Sequence, residues 1–311
     1  MKAASLALLL TLCGCATSPE YTPESTYAKL LGQYPGIRIA SRELPPGATV
    51  VRDLTFVRHG FRSLQLDLYL PQPNPRMTVP VVLLVHGGGW RSGNRGNFEA
   101  LAVRLAARGY ASAAVSYRLS GEARYPAAVD DVRAALRWLR EQANVYGLDA
   151  GRMVLAGGSA GGQIASLVGV SSAPGEVSAI INIDGLSDFT SIAARRYEDD
   201  PAKQPSSAGA WFGGRYAERA DLWREASPIF YVNRATPPVL FIGSGQARFS
   251  VGREEMVEKL QAHGVASKVV LLAAAPHSFW LLDPWIDPTA EAIDEFLRHQ
   301  LECPAPSPCR R

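Results

Sequence analysis

The sequence predicts an α/β fold in which a mostly parallel sheet is covered by helices on both faces. Short apolar runs alternate with amphipathic segments along most of the 311 residues, which is typical of strands joined by crossover helices. Several runs, such as VPVVLLV at 79–85, are apolar throughout, as expected for strands buried on both faces. With 47% hydrophobic and 20% charged residues, the chain has the balance of one large globular domain.

The predicted elements follow one another in a regular order. Eight strands are expected at TVVRDLTFV (49–57), LQLDLYL (64–70), VPVVLLV (79–85), YASAAVSYRL (110–119), RMVLAGG (152–158), VSAIINID (177–184), PPVLFIGS (237–244) and ASKVVLLAA (266–274), the first two as an antiparallel pair. Helices are expected at FEALAVRLAARG (98–109), PAAVDDVRAALRWLREQANVYG (126–147), the stretch after 159 and PTAEAIDEFLRHQL (288–301). Residues 188–236 break the pattern and are too long for a crossover loop, so they predict a small helical cap insertion.

The N-terminus predicts export. Residues 1–20 hold a basic residue, an apolar run of about nine residues and then small residues, a secretory signal too short to span a bilayer. The segment LCGC at 12–15 resembles a bacterial lipobox. We predict a signal peptide at 1–14, a lipid anchor at Cys15 and a linker at 15–45, which places a periplasmic or outer-membrane lipoprotein in the bacterial cell envelope. A plain signal peptide and a secreted protein are the alternative.

The main folded domain is expected at 46–302 and a short tail at 303–311. Cys303 and Cys309 in that tail form a small disulfide loop in an oxidising compartment, or remain two free thiols. No histidine cluster accompanies them, so no metal is predicted, and no organic cofactor is implied either. The net charge of +3 is spread without a basic block, which disfavours nucleic acid as a partner. The oligomeric state stays open.

One serine lies among glycines directly after a predicted strand. Gly157-Gly158-Ser159-Ala160-Gly161 matches the G-x-S-x-G nucleophile elbow, in which a sharp strand-to-helix turn exposes the serine hydroxyl at a helix N-terminus. A glycine-rich phosphate loop is the alternative, but its G-K-[S/T] ending is missing. The pattern therefore indicates a serine nucleophile.

A second glycine motif, HGGGW at 86–90, ends the strand at 79–85. Attack of a serine on an ester creates an oxyanion that needs two or three hydrogen-bond donors aimed at one point. Backbone amides of Gly88 and Gly89, together with that of Ala160, can supply them without side-chain crowding. We predict these three as the oxyanion hole.

With both motifs the chain resembles α/β-hydrolases of the esterase and lipase type, close to the group with hormone-sensitive-lipase-like and feruloyl- or acetyl-esterase-like enzymes, over roughly residues 50–300. The resemblance implies the α/β-hydrolase fold with an eight-stranded, mostly parallel sheet and a small cap. Carried over by position, it implies Ser159 as the nucleophile and His277, in AAPHSFW, as the general base. The other four histidines lie in the HGGGW motif, before the core or among surface residues on helices.

The triad acid departs from the family pattern. Most members carry an aspartate after the strand that matches PPVLFIG, where this chain has Ala247. Asp184 ends the preceding strand, one strand closer to the serine, and is the predicted acid. Glu254, Glu255 and Asp188 remain alternatives, as does a dyad without an acid.

Aromatic side chains near the motifs are candidates for the substrate pocket. We predict Trp90, Trp211, Phe279 and Trp280 there, with core packing as the competing explanation. Arg248, beside the vacated acid position, could pair with Asp184, contact an acidic substrate or lie free on the surface.

The predicted function is a serine carboxylesterase acting on short acyl (acetyl) or aryl esters, including carbohydrate esters of polysaccharides, through an acyl-enzyme. The small cap and the lack of long apolar stretches favour short acyl groups. An amidase or peptidase of the same fold is the alternative. The missing acid also keeps open a non-catalytic binding protein on a hydrolase scaffold.

Overall fold

The computed structural model describes residues 20–74 and 76–301. The predicted signal peptide, Cys15, Cys303 and Cys309 lie outside these residues. The strands are β1 (Arg38–Ile39), β2 (Thr49–His59), β3 (Arg62–Leu70), β4 (Val79–Val85), β5 (Ala111–Val115), β6 (Leu148–Gly158), β7 (Ala179–Ile183), β8 (Val239–Ser244), β9 (Ser267–Leu272) and β10 (Leu282–Asp283). The helices are α1 (Pro23–Leu30), α2 (Glu99–Ala106), α3 (Ala127–Glu141), α4 (Ala143–Tyr146), α5 (Ala160–Ser171), α6 (Ile192–Glu198), α7 (Ser207–Phe212), α8 (Tyr216–Glu225), α9 (Arg253–Ala262) and α10 (Ile286–Leu301).

Eight strands form the central sheet in the order β2-β3-β5-β4-β6-β7-β8-β9. The β2–β3 and β3–β5 pairs are antiparallel, and every pair from β5 to β9 is parallel. This confirms the predicted mostly parallel sheet of the α/β-hydrolase fold. The carboxyl ends of β4, β6 and β7 consequently meet at one edge, where ligands bind in sheets of this kind.

Helices cover both faces of the sheet. Helices α3, α5 and α9 contribute to the apolar core on one face, and α2 and α10 contribute to the core on the other. In α3 the side chains of Val132, Leu136 and Leu139 are buried along one stripe. The three- and four-residue spacing in the sequence predicts this stripe, because such residues share one helix face.

The insertion between β7 and β8 folds into three short helices, α6, α7 and α8. Its centre is aromatic, since Trp211, Phe212 and Trp223 are buried and Phe212 packs on Trp223 with ring centroids 4.9 Å apart. Phe189 joins this group from the segment that follows β7. The cap is therefore a small packed unit above the sheet edge.

Residues 20–45 are not the extended linker that their composition predicts. Helix α1 begins with a capping box at Thr22, and β1 pairs antiparallel with β10. Tyr21 donates from its hydroxyl to Ser278 Oγ at 2.9 Å. Sequence periodicity misses this segment because polar and aromatic contacts hold it, and its only two buried helix residues are Pro23 and Thr26.

No helix within the described residues is both long enough and apolar enough to cross a membrane.

Candidate active site

Ser159 lies between the last residue of β6 and the first residue of α5. Its backbone adopts φ 55° and ψ −123°, a conformation that costs a non-glycine residue about 1–3 kcal/mol. The Ser159 N–H donates to Ile183 O at 2.8 Å, which fixes the turn against β7. A side chain on Gly157 would collide with Gly161 O, and one on Gly161 with Val85 O. The glycines therefore permit the close approach of three backbone segments that presents the hydroxyl.

His86 supports the HGGGW turn rather than the chemistry. The ring is buried, stacks on Tyr117 with centroids 4.2 Å apart, and its Nδ1 lies 2.8 Å from Gly87 O. Burial lowers the pKa of His86 to about 4, so the ring is neutral at physiological pH and Nδ1–H can donate to that carbonyl. Tyr117 in turn donates to His86 O at 3.0 Å. These contacts hold the chain as it enters the glycine run.

The three predicted oxyanion donors surround the serine. Gly88 has φ 116° and its carbonyl accepts from Ser92 N at 3.1 Å, a local turn that a side chain on Gly88 would obstruct. Gly89 lines the same cavities as Ser159. Ala160 is the first residue of α5, where the N–H has no partner within the helix. Each of the three residues therefore lines a cavity that reaches Ser159, as an oxyanion donor must.

Asp184, His277 and Ser159 form one hydrogen-bonded series. His277 Nε2 lies 3.0 Å from Ser159 Oγ, and His277 Nδ1 lies 3.0 Å from Asp184 Oδ2. Asp184 directly follows β7, is 5% exposed, and accepts the backbone N–H of Ser244 at 2.7 Å through Oδ1. Both carboxylate oxygens are thus engaged, and the aspartate can hold one imidazole tautomer.

The other candidate acids lie apart from the imidazole. Glu254 is exposed on α9 and pairs with Arg253 Nε at 3.0 Å, and Glu255 is exposed beside it. Asp188 accepts from Thr190 N at 2.7 Å, in a turn at the start of the cap. The geometry therefore selects Asp184 among the four carboxylates.

Phe249 is a site residue that the sequence analysis missed. Its ring stacks on His277 with centroids 3.4 Å apart and planes 6° apart, while Trp280 meets the imidazole edge-on at 5.4 Å. Burial lowers the pKa of His277, the hydrogen bond to Asp184 opposes this, and the Arg248 charge lowers it further. The ring is therefore a neutral, oriented proton acceptor. Its position two residues after Ala247 is the signal that could have singled out Phe249.

Arg248 pairs with the cap and not with Asp184. Its Nε and Nη2 donate to Glu198 Oε1 at 3.1 and 2.8 Å. Glu198 is the last residue of α6, and only 5% of its side chain is exposed. The loop that has lost the usual acid thus links the cap to the histidine through adjacent residues, since Arg248 holds Glu198 and Phe249 holds His277.

Two cavities of very different size meet at Ser159. The first, which we call the inner pocket, measures about 60 Å³ and is lined by Gly89, Trp90, Ser159, Ala160, Asp184, Leu186, Glu198, Ser207, Arg248 and Phe249. The second, which we call the outer cleft, measures about 740 Å³, opens to solvent and is lined by both polar and apolar side chains. One side of the outer cleft is formed by residues 20–34, which include α1.

The predicted aromatic pocket is only partly correct. Trp90 lines the inner pocket and donates from Nε1 to Gln163 Oε1 at 3.0 Å. Trp211 is fully buried, and its ring stacks on that of Trp90 with centroids 5.0 Å apart. Phe279 and Trp280 are fully buried, and Trp280 packs beneath Gly158, where a Cβ would lie 2.6 Å from its ring. The prediction is therefore wrong for Trp211, Phe279 and Trp280, because the cap core and the elbow need these large side chains for packing.

The described residues contain no group of three or more histidines, cysteines or carboxylates placed to hold a metal ion. The chemistry available at this site is that of the serine, the imidazole, the carboxylate and the backbone amides.

Comparison with known proteins agrees with this geometry. The BD-FAE family model matches residues 66–256, which include the HGGGW turn, the elbow, the cap and Asp184. The chain belongs to the BD-FAE family. Members of this family are serine esterases of the α/β-hydrolase fold, as the similar proteins below indicate.

Two curated relatives and one solved structure illustrate the similarity. Esterase LipC of Mycobacterium tuberculosis is 31% identical over 75% of this chain and 61% of that protein. Ethyl acetate hydrolase of Pseudomonas putida is 28% identical over 78% of this chain and 80% of that protein. A truncated carbohydrate esterase from gut microbiota matches with a TM-score of 0.70 and 18% identity, over 86% of this chain and 100% of that one, which shows the shared fold. The chain spans about three fifths of LipC and of the probable carboxylic ester hydrolase LipM, also from Mycobacterium tuberculosis.

Proposed function

We propose that this protein is a serine carboxylesterase that hydrolyses short-chain acyl esters through an acyl-enzyme. The observation that carries the proposal is the series Asp184–His277–Ser159, with both hydrogen bonds at 3.0 Å. Gly88, Gly89 and Ala160, whose amides are the proposed oxyanion donors, line the cavities that reach this hydroxyl. The hypothesis of a non-catalytic binding protein arose from the missing acid, and Asp184 supplies that acid from the neighbouring strand.

The geometry supports a two-step reaction. As Ser159 Oγ attacks the ester carbonyl carbon, His277 Nε2 takes its proton and the carbonyl electron pair moves to the oxygen. The amides of Gly88, Gly89 and Ala160 stabilise this oxyanion, and each donor is worth about 3–4 kcal/mol of barrier. When the tetrahedral intermediate collapses, the carbon–alkoxy bond breaks and His277 returns the proton to the leaving alcohol. Water then repeats the sequence on the acyl-enzyme and releases the acid and free Ser159.

The inner pocket supports a short acyl group. A group the size of a water molecule needs at least about 10–15 Å³ of cavity volume. The inner pocket, at about 60 Å³, therefore accepts roughly four heavy atoms of the acyl group beyond its carbonyl. Acetyl, propionyl and butyryl groups fit within that limit, and long-chain fatty acyl groups exceed it. The similarity to an ethyl acetate hydrolase supports the same assignment.

The outer cleft supports a large, polar alcohol. It is about 740 Å³ in volume, open to solvent, and combines polar side chains, such as Lys29 and Gln33, with aromatic ones, such as Tyr34. Such a surface suits the hydroxyl groups of a carbohydrate or the ring of a phenol. We therefore propose acetylated polysaccharides and aryl esters as the substrate classes.

We also propose attachment to the cell envelope through a lipid on Cys15. Helix α1 packs on the domain, and Glu20 already lines the outer cleft. Glu20 lies five positions after the proposed anchor, an interval that spans at most about 18 Å. A lipid on Cys15 would therefore keep the cleft close to the membrane surface. Fractionation of cells that express the full chain or its Cys15→Ser variant tests this, since loss of membrane attachment is expected only for the variant.

Fluorophosphonate labelling of the purified protein tests the catalytic proposal. We expect one adduct, located on Ser159 by peptide mass spectrometry, together with hydrolysis of p-nitrophenyl acetate. The Ser159→Ala variant should lose both. A folded wild-type protein that takes no label on Ser159 would overturn the assignment.

A further inference from the structure

The inner pocket differs from an ordinary short-acyl pocket because a buried carboxylate lines it. Glu198 ends α6, and only 5% of its side chain is exposed. It lines the pocket together with Ser159 and Ala160. The salt bridge with Arg248 offsets part of the cost of burying this charge, but a purely alkyl acyl group would add no hydrogen bond to the carboxylate.

Only one oxygen of this carboxylate is engaged. Arg248 donates to Glu198 Oε1 through both Nε and Nη2, and no described residue donates to Oε2. A carboxylate oxygen can accept two hydrogen bonds, so Oε2 retains its full acceptor capacity beside the pocket. The Arg248–Glu198 salt bridge also balances the charge of the site, which favours a neutral donor over a second cation.

Ser207 adds a hydroxyl to the same wall. It is the first residue of α7 and lines the inner pocket. Its Oγ lies near Gly89, since a Cβ placed on that glycine would be 3.3 Å from it. The cap therefore presents two polar groups to the acyl side of the serine, one from α6 and one from α7.

We propose that the inner pocket recognises a short hydroxyacyl group, whose hydroxyl donates to Glu198 Oε2 and can bond to Ser207 Oγ. This inference rests on the proposed esterase function and names its acyl substrate class. A 2-hydroxypropanoyl or 3-hydroxybutanoyl group has three or four heavy atoms beyond the carbonyl, which fits a pocket of about 60 Å³. The hydroxyl of such a group would satisfy the carboxylate, whereas an alkyl group of equal size would leave it unpaired.

A matched pair of esters tests the proposal. The p-nitrophenyl esters of 2-hydroxypropanoic acid and 2-methylpropanoic acid differ by a hydroxyl in place of a methyl group. Each kcat/KM is divided by the rate of hydroxide-catalysed hydrolysis of the same ester, which removes the difference in intrinsic reactivity. For the wild-type enzyme we expect the corrected kcat/KM of the hydroxyacyl ester to exceed that of the methyl analogue at least about tenfold. The reason is that the methyl analogue cannot make the hydrogen bond to the charged carboxylate.

Variants separate recognition from packing. Glu198→Gln replaces an acceptor oxygen by an amide of the same size and should reduce the preference about tenfold or more. Ser207→Ala, a milder change at the start of α7, should reduce it by a smaller factor. Glu225→Gln is the matched control, because Glu225 is an exposed cap residue that bonds Tyr125 outside the pocket. It should keep the wild-type ratio.

The outcomes distinguish this inference from the proposed function. Equal corrected rates for the two esters in an active enzyme would overturn hydroxyacyl recognition and leave the esterase assignment in place. The p-nitrophenyl ester of alanine, which carries an ammonium group in place of the hydroxyl, serves as a third substrate. A higher corrected rate for this ester than for the hydroxypropanoyl ester would also overturn the inference, because the site would then select a cation. No hydrolysis of either ester and no fluorophosphonate adduct would overturn the esterase function itself.

Discussion

The inner pocket and the outer cleft share Ser159 but differ in size and in the parts of the fold that line them. The inner pocket is about 60 Å³ and is closed by the cap and by the loop of Arg248 and Phe249. The outer cleft is about 740 Å³ and opens to solvent along α1. The difference supports the proposal that the acyl specificity is narrow and the alcohol specificity is broad.

The two compartments also depend on different contacts. Buried hydrogen bonds hold the inner pocket. Trp90 Nε1 donates to Gln163 Oε1, and Gln163 Nε2 donates to Ala226 O at 2.7 Å. The segment 20–34 beside the outer cleft is held by hydrogen bonds that are only partly buried. Tyr21 donates from its hydroxyl to Ser278 Oγ, and Asn97 Nδ2 donates to Tyr21 O at 3.0 Å. Changes on the acyl side should therefore alter specificity sharply, and changes on the alcohol side should do so mildly.

The largest effect is expected at the catalytic residues Ser159, His277 and Asp184, where the two cavities meet. A change there should slow the hydrolysis of every ester alike. Asp184→Asn removes the charge that holds the His277 tautomer, so kcat should fall on the order of a hundred- to ten-thousandfold. Glu254→Gln, at an exposed carboxylate of α9, is the matched control and should stay near wild type. Steady-state rates on acetate and butyrate esters measure both. A larger loss for Glu254→Gln would move the triad acid away from Asp184.

The next effect concerns the acyl limit. Leu186→Ala removes three carbons from the wall of the inner pocket, where Leu186 is 6% exposed. The ratio of kcat/KM for hexanoate to that for acetate should rise about tenfold or more, since each methylene in an apolar pocket is worth about 1–3 kcal/mol. Leu222→Ala, on the cap but outside the pocket, should leave this ratio unchanged. An equal rise in both variants would mean that cap mobility, rather than pocket volume, sets the limit.

A smaller effect is expected on the alcohol side. Gln33 is exposed and lines the outer cleft beside α1. Gln33→Trp narrows the cleft, so it should lower kcat/KM several-fold for acetylated oligosaccharides and leave ethyl acetate unaffected. Gln33→Ala is the control for loss of the amide without added bulk, and it should leave kcat/KM for both substrates unchanged. Parallel losses on both substrates in the Trp variant would show that residues 20–34 do not contact the alcohol.

The smallest effect is a shift in pH dependence. His277 accepts a proton only when neutral, and burial lowers its pKa below the ordinary 6.5. Activity should therefore rise with pH through a value below 6.5 and be lost as the pH falls through it. Arg248→Gln removes a positive charge that also lowers this pKa, so the acid limb should move to higher pH.

The kcat/KM profile of acetate hydrolysis measures the limb. Arg224→Gln, an exposed cap arginine over Phe230, is the control and should leave the profile unchanged. A limb that moves to lower pH in Arg248→Gln would contradict the assignment of His277 as the titrating base.

Much of the fold, and the catalytic residues Ser159, His277 and Asp184, could be predicted from the sequence. The buried strands appear as continuous apolar runs, and the glycine motifs mark the two turns where backbones must approach closely. Asp184 could be proposed because a residue at the end of β7 must lie beside the elbow at the end of β6, to which that strand is paired.

The specificity elements could not be predicted in the same way. The packing of α1 depends on single long-range contacts, such as Tyr21 with Ser278, that leave no periodic pattern. The aromatic residues of the cap and the elbow look alike in the sequence, although Trp90 lines a cavity and Trp280 fills the core. Glu198 at the end of α6 and Arg248 in the loop after β8 are fifty positions apart, and only the folded arrangement brings them together.

The central claim is that a closed acyl compartment and an open alcohol compartment meet at Ser159. One matrix of kcat/KM values, each divided by the rate of hydroxide-catalysed hydrolysis of the same ester, tests it most directly, with acetyl, butyryl, hexanoyl and palmitoyl esters of ethanol, a phenol and a monosaccharide. We predict a steep fall with acyl length for every alcohol and a nearly flat response to the alcohol for acetyl esters. A preference for palmitate, or a steep dependence on the alcohol with a flat acyl response, would contradict the account.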